Sequence, residues 1–434
     1  PGSKSHTIRA VAIASLASGE STILSPLSSG DTLSAVSCYR SLGATIDTAD
    51  DLRWKVTGTG GALHTEGQII DIGNSGTTLR VAAGSAALSA GPEGVVLTGD
   101  HQIQSRPIGP LLTSLCDLGA SAVSQKGNDM APLSVRGTLT GGTTRIECIT
   151  SQYLTSLLLA APLAANDTEI IVTLLNEPDY VQMTLDWLDK QQIEYQNHNL
   201  ERFTVKGGQA YQPFDLPVPA DFSSATFFLV AGAMLDADIT LTGLDFADSQ
   251  PDKAVADYLR QMGALLDING DRVHIAKSEL TGVDIDMNRT PDALPALAVV
   301  GAFAAGTTRL LNVPQARKKE TDRIAVMAEE LTKLGVKTEE LPDGLIVHGG
   351  GALHSAELGG HHDHRIVMAL SLAAMALDEP CSIDTAEAIN VTFPEFVNLL
   401  KNIGANMHIG TYPIQEEDKM LGCHIGRSFL VTVG

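Results

Sequence analysis

Basic residues are scarce in this chain of 434: 29 lysines and arginines stand against 51 aspartates and glutamates, a formal charge of −22. Such a chain lacks the basic face that nucleic acid or an anionic membrane needs, so neither is expected as a partner. Any anionic ligand must be held by a local group of cations that overrides the global field. The five cysteines, Cys38, Cys116, Cys148, Cys381 and Cys423, include no CxxC pair. Their scatter disfavours a zinc site or a disulfide framework and suits a reducing cytoplasm. Long apolar runs are missing too. The longest, Ala293 to Gly306, is too short to cross a bilayer, and nothing visible resembles a signal peptide. Aromatic residues make up 4% and hydrophobic ones 44%, which gives an aliphatic core large enough for about two domains.

What the chain does have is a repeat. Six times a helix-like segment closes on a small turn and enters an apolar stretch: Leu42-Gly43-Ala44, Leu118-Gly119-Ala120, Gln191-Gln192-Ile193, Met262-Gly263-Ala264, Leu334-Gly335-Val336 and Ile403-Gly404-Ala405. The spacing is about 72 residues, too long for the common solenoids. Glycine just past an amphipathic run is what a left-handed helix C-cap requires, and the alternating segment after it reads as a strand. Each period has room for roughly two helices and three or four strands, and three periods per domain is the simplest split. The seam falls in the stretch from Gly207 to Pro219, where Pro and Gly interrupt both periodicities.

Several motifs stand just before predicted helices. Lys4, Ser5 and Arg9 follow a Pro-Gly turn, an anion site if helix amides join them and a solvated start if they do not. Gly73-Asn74-Ser75-Gly76-Thr77-Thr78 carries more glycines and hydroxyls than a plain N-cap needs, and Arg106 and Thr150-Ser151-Gln152 occupy equivalent places in later periods. Lys318-Lys319-Glu320-Thr321-Asp322-Arg323 reads ordinarily as a solvated charge run. Cations at a helix start nevertheless oppose the macrodipole unless they meet an anion, and Lys319 and Arg323 share one face. His361-His362-Asp363-His364-Arg365 lacks a metal-binding pattern, and Arg365 repeats the cation-at-helix-start theme. Asp292 precedes the long apolar run as an N-cap or a partly buried carboxylate in need of a cation.

Taken together, the strings PGSKSHTIRA, GNSGTTLR, RPIGPL, TSQYLTSLLLAAPL, DFSSATFFLVAGA, PDALPALA, KKETDRIAVMAEEL, DHRIVMALSLA and TFPEF resemble, in order from Pro1 to about Ala405, the 5-enolpyruvylshikimate-3-phosphate synthases. The resemblance implies an α/β (α+β) fold, a two-domain inside-out α/β barrel of six βαβαββ repeats, three per domain. It sets residues 4–219, mainly the shikimate 3-phosphate side, against 220–434 plus 1–3, with the active site in the interdomain cleft. It implies transfer of the enolpyruvyl group of phosphoenolpyruvate to the 5-hydroxyl of shikimate 3-phosphate, with no metal or organic cofactor, in a cytoplasmic monomer. By the same resemblance Ser5, Arg9, Thr150, Ser151, Gln152, Tyr180 and Lys319 hold shikimate 3-phosphate, with Asp292 on its ring hydroxyl, and Gln315 is a further substrate-binding residue. Lys4, Gly76, Gln152, Arg106, Arg323 and Arg365 hold phosphoenolpyruvate, and Glu320, Asp292 and Lys4 move protons. The six cations then match the substrates' about six negative charges. Lys4, Arg106, Lys319, Arg323 and Arg365 are expected to face one cleft.

The sister enzyme acting on UDP-N-acetylglucosamine is the nearest rival, but it works with a cysteine in the loop that here reads Asp100 to Ser105 without one. A non-catalytic scaffold is disfavoured because Lys4, Asp292, Lys319, Glu320 and Arg323 are all kept. Departures from the resemblance are Val391 in place of a lysine, Gln315 in place of an asparagine, and a chain that starts after the usual opening strand and carries a tail from about Gly410. By the resemblance that strand completes the sixth repeat, and the alternating Ser428 to Gly434 is expected to fill its place in the second domain and to leave Gly434 beside Pro1.

Overall fold

A computed structural model describes residues 1–64, 67–89, 91, 93–410 and, in backbone, 428–431. It divides into two compact units, Pro1–Ala220 with Asp248–Gln250, and Asp221–Ala247 with the chain from Pro251 onward. Residues 1–3, expected with the second domain, belong to the first unit. There Gly2 bridges to Ala220 and the Ser3 N–H donates to the Pro219 carbonyl at 2.8 Å, so backbone pairing fixes them.

The glycine turns take the predicted conformation. Gly43, Gly119, Gly263, Gly335 and Gly404 have φ between +91° and +107°, and Gln192 adopts φ +56° without glycine's freedom. Each turn ends an outer helix with one apolar stripe, such as Arg323–Lys333, where Ile324, Met327 and Leu331 are buried. The other helix of each repeat is of a different kind. Lys4–Leu16, Gly76–Ala86 and Ser151–Ala160 in the first unit, and Phe222–Met234, Leu294–Phe303 and His364–Met375 in the second, are buried nearly all round. A helix apolar on every side has no solvent face, and these pack against one another at the centre of their own unit. Their charged side chains lie in the first two turns, near N-terminal backbone N–H groups that lack intrahelical partners. Those turns carry Lys4 and Ser5, Gly76, Thr150 to Gln152, and Arg365, whereas Arg106, expected in the place of Thr150, and Lys319 to Arg323 stand before the outer helices Gly109–Asp117 and Arg323–Lys333.

Among the described residues each unit has three small sheets, and five of the six share an order: one edge strand parallel to its neighbour and the rest antiparallel. In the first unit Ile69–Asp71 lies beside Val95–Thr98, then Leu133–Arg136 and Ser121–Ser124. The seam holds more structure than its Pro and Gly content suggests. Asp215–Pro217 pairs in parallel with Thr22–Leu24 as the edge strand of the first sheet, a place where proline is tolerated. In the second unit, Ser428–Val431 pairs with Cys381–Asp384 and Met407–Ile409. The tail joins the sixth repeat's sheet as its inner strand, equivalent to Gly344–Gly349 in the fifth. The sheet of Asp238–Leu241, Arg272–Ala276 and Leu265–Asn269 is the one with three strands among the described residues. Gly434 lies outside the described residues.

The excursion Asp248–Gln250 is tied to the first unit by side chains. His6, fully buried, accepts from Trp187 Nε1 at 3.0 Å through Nδ1 and meets Asp248 Oδ1 at 3.2 Å through Nε2. Ser249 donates to Asp186, and Gln250 donates to the Ala220 carbonyl at 2.9 Å.

Candidate active site

In the first unit the assigned residues gather at the N-terminal turns of the three buried helices. Lys4 Nζ donates to Asp31 Oδ2 at 2.9 Å, so its charge is compensated within the protein. Arg9 is buried one turn deeper. Its guanidinium donates to the Ser5 carbonyl at 3.0 Å, the Tyr180 carbonyl at 2.9 Å, Thr184 Oγ1 at 3.0 Å and Thr155 Oγ1 at 3.2 Å. Burial lowers its pKa to about 10, which leaves it charged at neutral pH. It thereby carries the backbone of Ser5 and Tyr180, both only half-buried.

Gly76 opens its helix between two guanidinium groups. A Cβ there would lie 2.5 Å from Arg106 Nη1 and 2.7 Å from Arg80 Nη1, so glycine is what lets both arginines approach the turn. Arg106 donates to Asn74 Oδ1 at 3.3 Å, and Arg80 donates to the carbonyls of Gly76 and Pro107 at 3.1 and 3.0 Å. Gln152 Nε2 donates to Thr77 Oγ1 at 3.1 Å, which links two of the turns. Thr150 and Ser151 converge on one acceptor: Glu177 Oε2 takes Thr150 Oγ1 at 3.1 Å, the Ser151 N–H at 3.1 Å and Ser151 Oγ at 2.8 Å.

The second unit assembles an ion cluster around two arginines. Arg323, 1% exposed in its side chain, donates to Asp292 Oδ1 at 2.8 Å, to Glu320 Oε2 at 2.6 Å and to both oxygens of Asp363 at 2.8 and 3.2 Å. Arg365 Nη2 meets Asp292 Oδ2 at 3.1 Å, and Lys319 Nζ stands 3.5 Å from Asp292 Oδ1. Burial opposes charge on Arg323, but Asp363, Glu320 and Asp292 outweigh it and raise its pKa. Burial likewise works against the Asp363 carboxylate, and the adjacent Arg323 holds it below the usual range. Asp363 also accepts the Arg365 N–H at 2.9 Å, so it caps the helix that carries Arg365. Gln315 is buried within the Pro314–Lys318 turn, with its amide donating to the Asn288 carbonyl at 2.9 Å.

Four residues of the site have no role assigned from the sequence: Arg80, Glu177, Asp252 and Asp363. Asp252, buried beside Ser223, is pushed up to about 6, by burial above all and by nearby Asp292 and Asp221, against the pull of Arg365. Only the second had a local signal, an acid next to Pro178 at a helix start; the others are single polar residues whose partners are remote in sequence. His361 also has company that the sequence did not disclose. Its Nε2 meets Glu330 Oε1 at 2.8 Å, and Glu329, Glu330 and His361 offer ligand atoms within 4.8 Å of one another. Lys333 Nζ already lies between the two carboxylates, 3.2 Å from Glu329 and 2.8 Å from Glu330.

Buried helix turns that gather hydroxyls and arginines, together with a carboxylate ringed by cations, are the equipment of an enzyme for small phosphorylated acids. The enolpyruvyl transferase NikO from Streptomyces tendae shares the fold, with a TM-score of 0.69 at 19% identity over 93% of each chain. EPSP synthase from Acinetobacter baumannii matches with a TM-score of 0.77 and 28% identity, over 93% of this chain and 94% of that one. Proteins named 3-phosphoshikimate 1-carboxyvinyltransferase are 52% identical over 407 residues in Acetivibrio thermocellus, covering 94% of this chain and 95% of that protein, and 41% identical over 415 residues in Methanocaldococcus jannaschii, covering 94% and 96%. The family model described as EPSP synthase (3-phosphoshikimate 1-carboxyvinyltransferase) matches residues 1–400, and the chain belongs to that family.

Proposed function

We propose that the protein transfers the enolpyruvyl group of phosphoenolpyruvate to the 5-hydroxyl of shikimate 3-phosphate and releases phosphate. The observation that carries this reading is Asp292, a carboxylate held by Lys319, Arg323 and Arg365 with Glu320 on the same Arg323. The cluster has three cations and, counting Asp363, three carboxylates. It therefore has proton carriers and anion-binding groups within one hydrogen-bond network.

Addition begins with a proton delivered to the methylene carbon of phosphoenolpyruvate, which makes C2 cation-like. The 5-hydroxyl attacks C2 and loses its proton to a base, giving a tetrahedral ketal that still carries phosphate. Elimination breaks the C2–O bond to phosphate and returns the methyl proton to a base. Glu320 and Asp292 are suited to these transfers, and Lys4 shares the work. Arg106, Arg323 and Arg365, with Gly76 leaving room, bind phosphoenolpyruvate. Ser5, Thr150, Ser151, Gln152, Tyr180, Gln315 and Lys319 bind shikimate 3-phosphate, with Arg9 supporting Ser5 and Tyr180 from beneath. The reaction needs both sets at one centre, so the proposal requires them to meet around the two substrates, where exclusion of water and alignment of reacting atoms lower the barrier by several kcal/mol.

A coupled phosphate-release assay tests it. Release is expected only when shikimate 3-phosphate and phosphoenolpyruvate are both present. No release with that pair, or release with UDP-N-acetylglucosamine in place of shikimate 3-phosphate, overturns it.

A further inference from the structure

Glu177 is a residue the proposed chemistry does not use, in a place where an acid is costly. It is 1% exposed, and one carboxylate oxygen accepts all three donors at the start of Ser151–Ala160. It also precedes the Pro178–Lys190 helix as N-cap, yet its side chain makes no capping bond to that helix. Its backbone lies at φ +59° and ψ 50°, the left-handed region that costs a residue with a Cβ about 1 kcal/mol or more. The same left-handed link follows the corresponding strands at Ser25, Asn312 and Thr385, so the fold sets this backbone and the sequence places a carboxylate on it. Two hydroxyls, a helix-start N–H with no intrahelical acceptor and the positive end of a helix dipole form an anion site, and Glu177 supplies its anion.

We propose that Glu177 is an internal stand-in for the substrate phosphate, holding Thr150 and Ser151 in binding geometry and giving them up when shikimate 3-phosphate arrives. This rests on the reading that Thr150 and Ser151 bind that substrate. A phosphate and a carboxylate cannot share the same three donors, because two anions at hydrogen-bond distance from one oxygen-sized site repel. Binding therefore exchanges one anion for another. The device keeps buried donors satisfied and raises the threshold for weak anions, since a competitor must outbid a carboxylate already in place.

The test uses the full chain with Glu177→Gln, which keeps the size and an acceptor oxygen but removes the charge, and with Glu177→Ala. Both should lower KM for shikimate 3-phosphate, by about tenfold in the Gln variant, while KM for phosphoenolpyruvate stays within about twofold. Competitive inhibition by unphosphorylated shikimate should not change, which a merely structural role would not predict. Titration with inorganic phosphate, followed by calorimetry, should show tighter binding by the Gln variant and does not depend on turnover. An unchanged or raised KM for shikimate 3-phosphate in both variants, a parallel shift with shikimate, or equal phosphate affinity would overturn the proposal. A wild-type protein that releases no phosphate from the two substrates would instead sink the functional reading, leaving the phosphate titration to judge Glu177 by itself.

Discussion

Replacing Glu320 by Gln separates proton transfer from charge balance in the second unit's cluster. Glu320 Oε2 sits 2.6 Å from Arg323 Nη2, and its side chain is 10% exposed. A glutamine oxygen can still accept from Arg323, which keeps Asp292 and Asp363 on its other nitrogens, so the cluster should hold its shape. The lost charge assistance costs about 1–2 kcal/mol of stability. The cluster's charge goes from zero, three cations against three carboxylates, to +1. Two unit charges 4 Å apart interact by at most about 4 kcal/mol at an effective dielectric of 20, and screening leaves a fraction of that in favour of an anionic substrate. KM for both substrates should therefore hold steady or fall. If Glu320 carries a proton in the transition state, kcat falls by about 10²-fold or more, near 2.7 kcal/mol of barrier. Initial rates of phosphate release, with each substrate varied in turn, measure both constants, and single-turnover rates isolate the chemistry. A kcat within about threefold of wild type, or a loss carried entirely by raised KM values, would refute the proton-transfer role and leave Glu320 as an anchor for Arg323.

Asp363→Asn removes the buried carboxylate that holds Arg323 on two nitrogens and caps the Arg365 helix; a loss of about 3–5 kcal/mol in denaturant unfolding is expected, and a loss below about 1 kcal/mol would show the ion pair to be dispensable. Gln192→Gly should raise stability by about 0.5–1 kcal/mol, because an exposed residue at φ +56° gains glycine's freedom; a lower melting temperature would count against the C-cap account. Asp252 has its folded pKa raised from an ordinary 3.8 to about 6, so its contribution is fully present below pH 4 and is lost as pH rises through 6. Asp252→Asn should therefore stabilise the protein relative to wild type at pH 8, by roughly 3 kcal/mol at most, and give no such gain at pH 4; a gain independent of pH would dismiss the burial argument.

The glycine turns were legible because a left-handed C-cap leaves a mark in a single position. At Gly43, Gly119, Gly263, Gly335 and Gly404 the residue type and the conformation are the same statement. The cation-rich turns were legible for a related reason, since Lys319, Arg323 and Arg365 stand at helix starts where their charge is out of place alone. What could not be read was the company they keep. Asp363 is 40 residues from Arg323, and nothing local distinguishes it from the exposed Asp384. The count of cations against substrate charge was accordingly incomplete, for Lys4, Lys319, Arg323 and Arg365 each meet a carboxylate of the protein. The Asp215–Pro217 strand was hidden because proline masks an edge position that needs no N–H on its outer side.

The tie between Asp248 and His6 bears on the order in which the chain can mature. A ribosome that has released residues 1–220 has delivered nearly all of the first unit, yet the fully buried His6 still awaits its carboxylate, and Asp186 still awaits Ser249. Those groups arrive only after Phe222–Met234 and Asp238–Leu241, both elements of the second unit, have left the tunnel. The first unit therefore completes these contacts only after the second unit's opening elements have emerged. A cut at Ala220, which the sequence invites, would sever a histidine from its partner rather than separate two independent folding units.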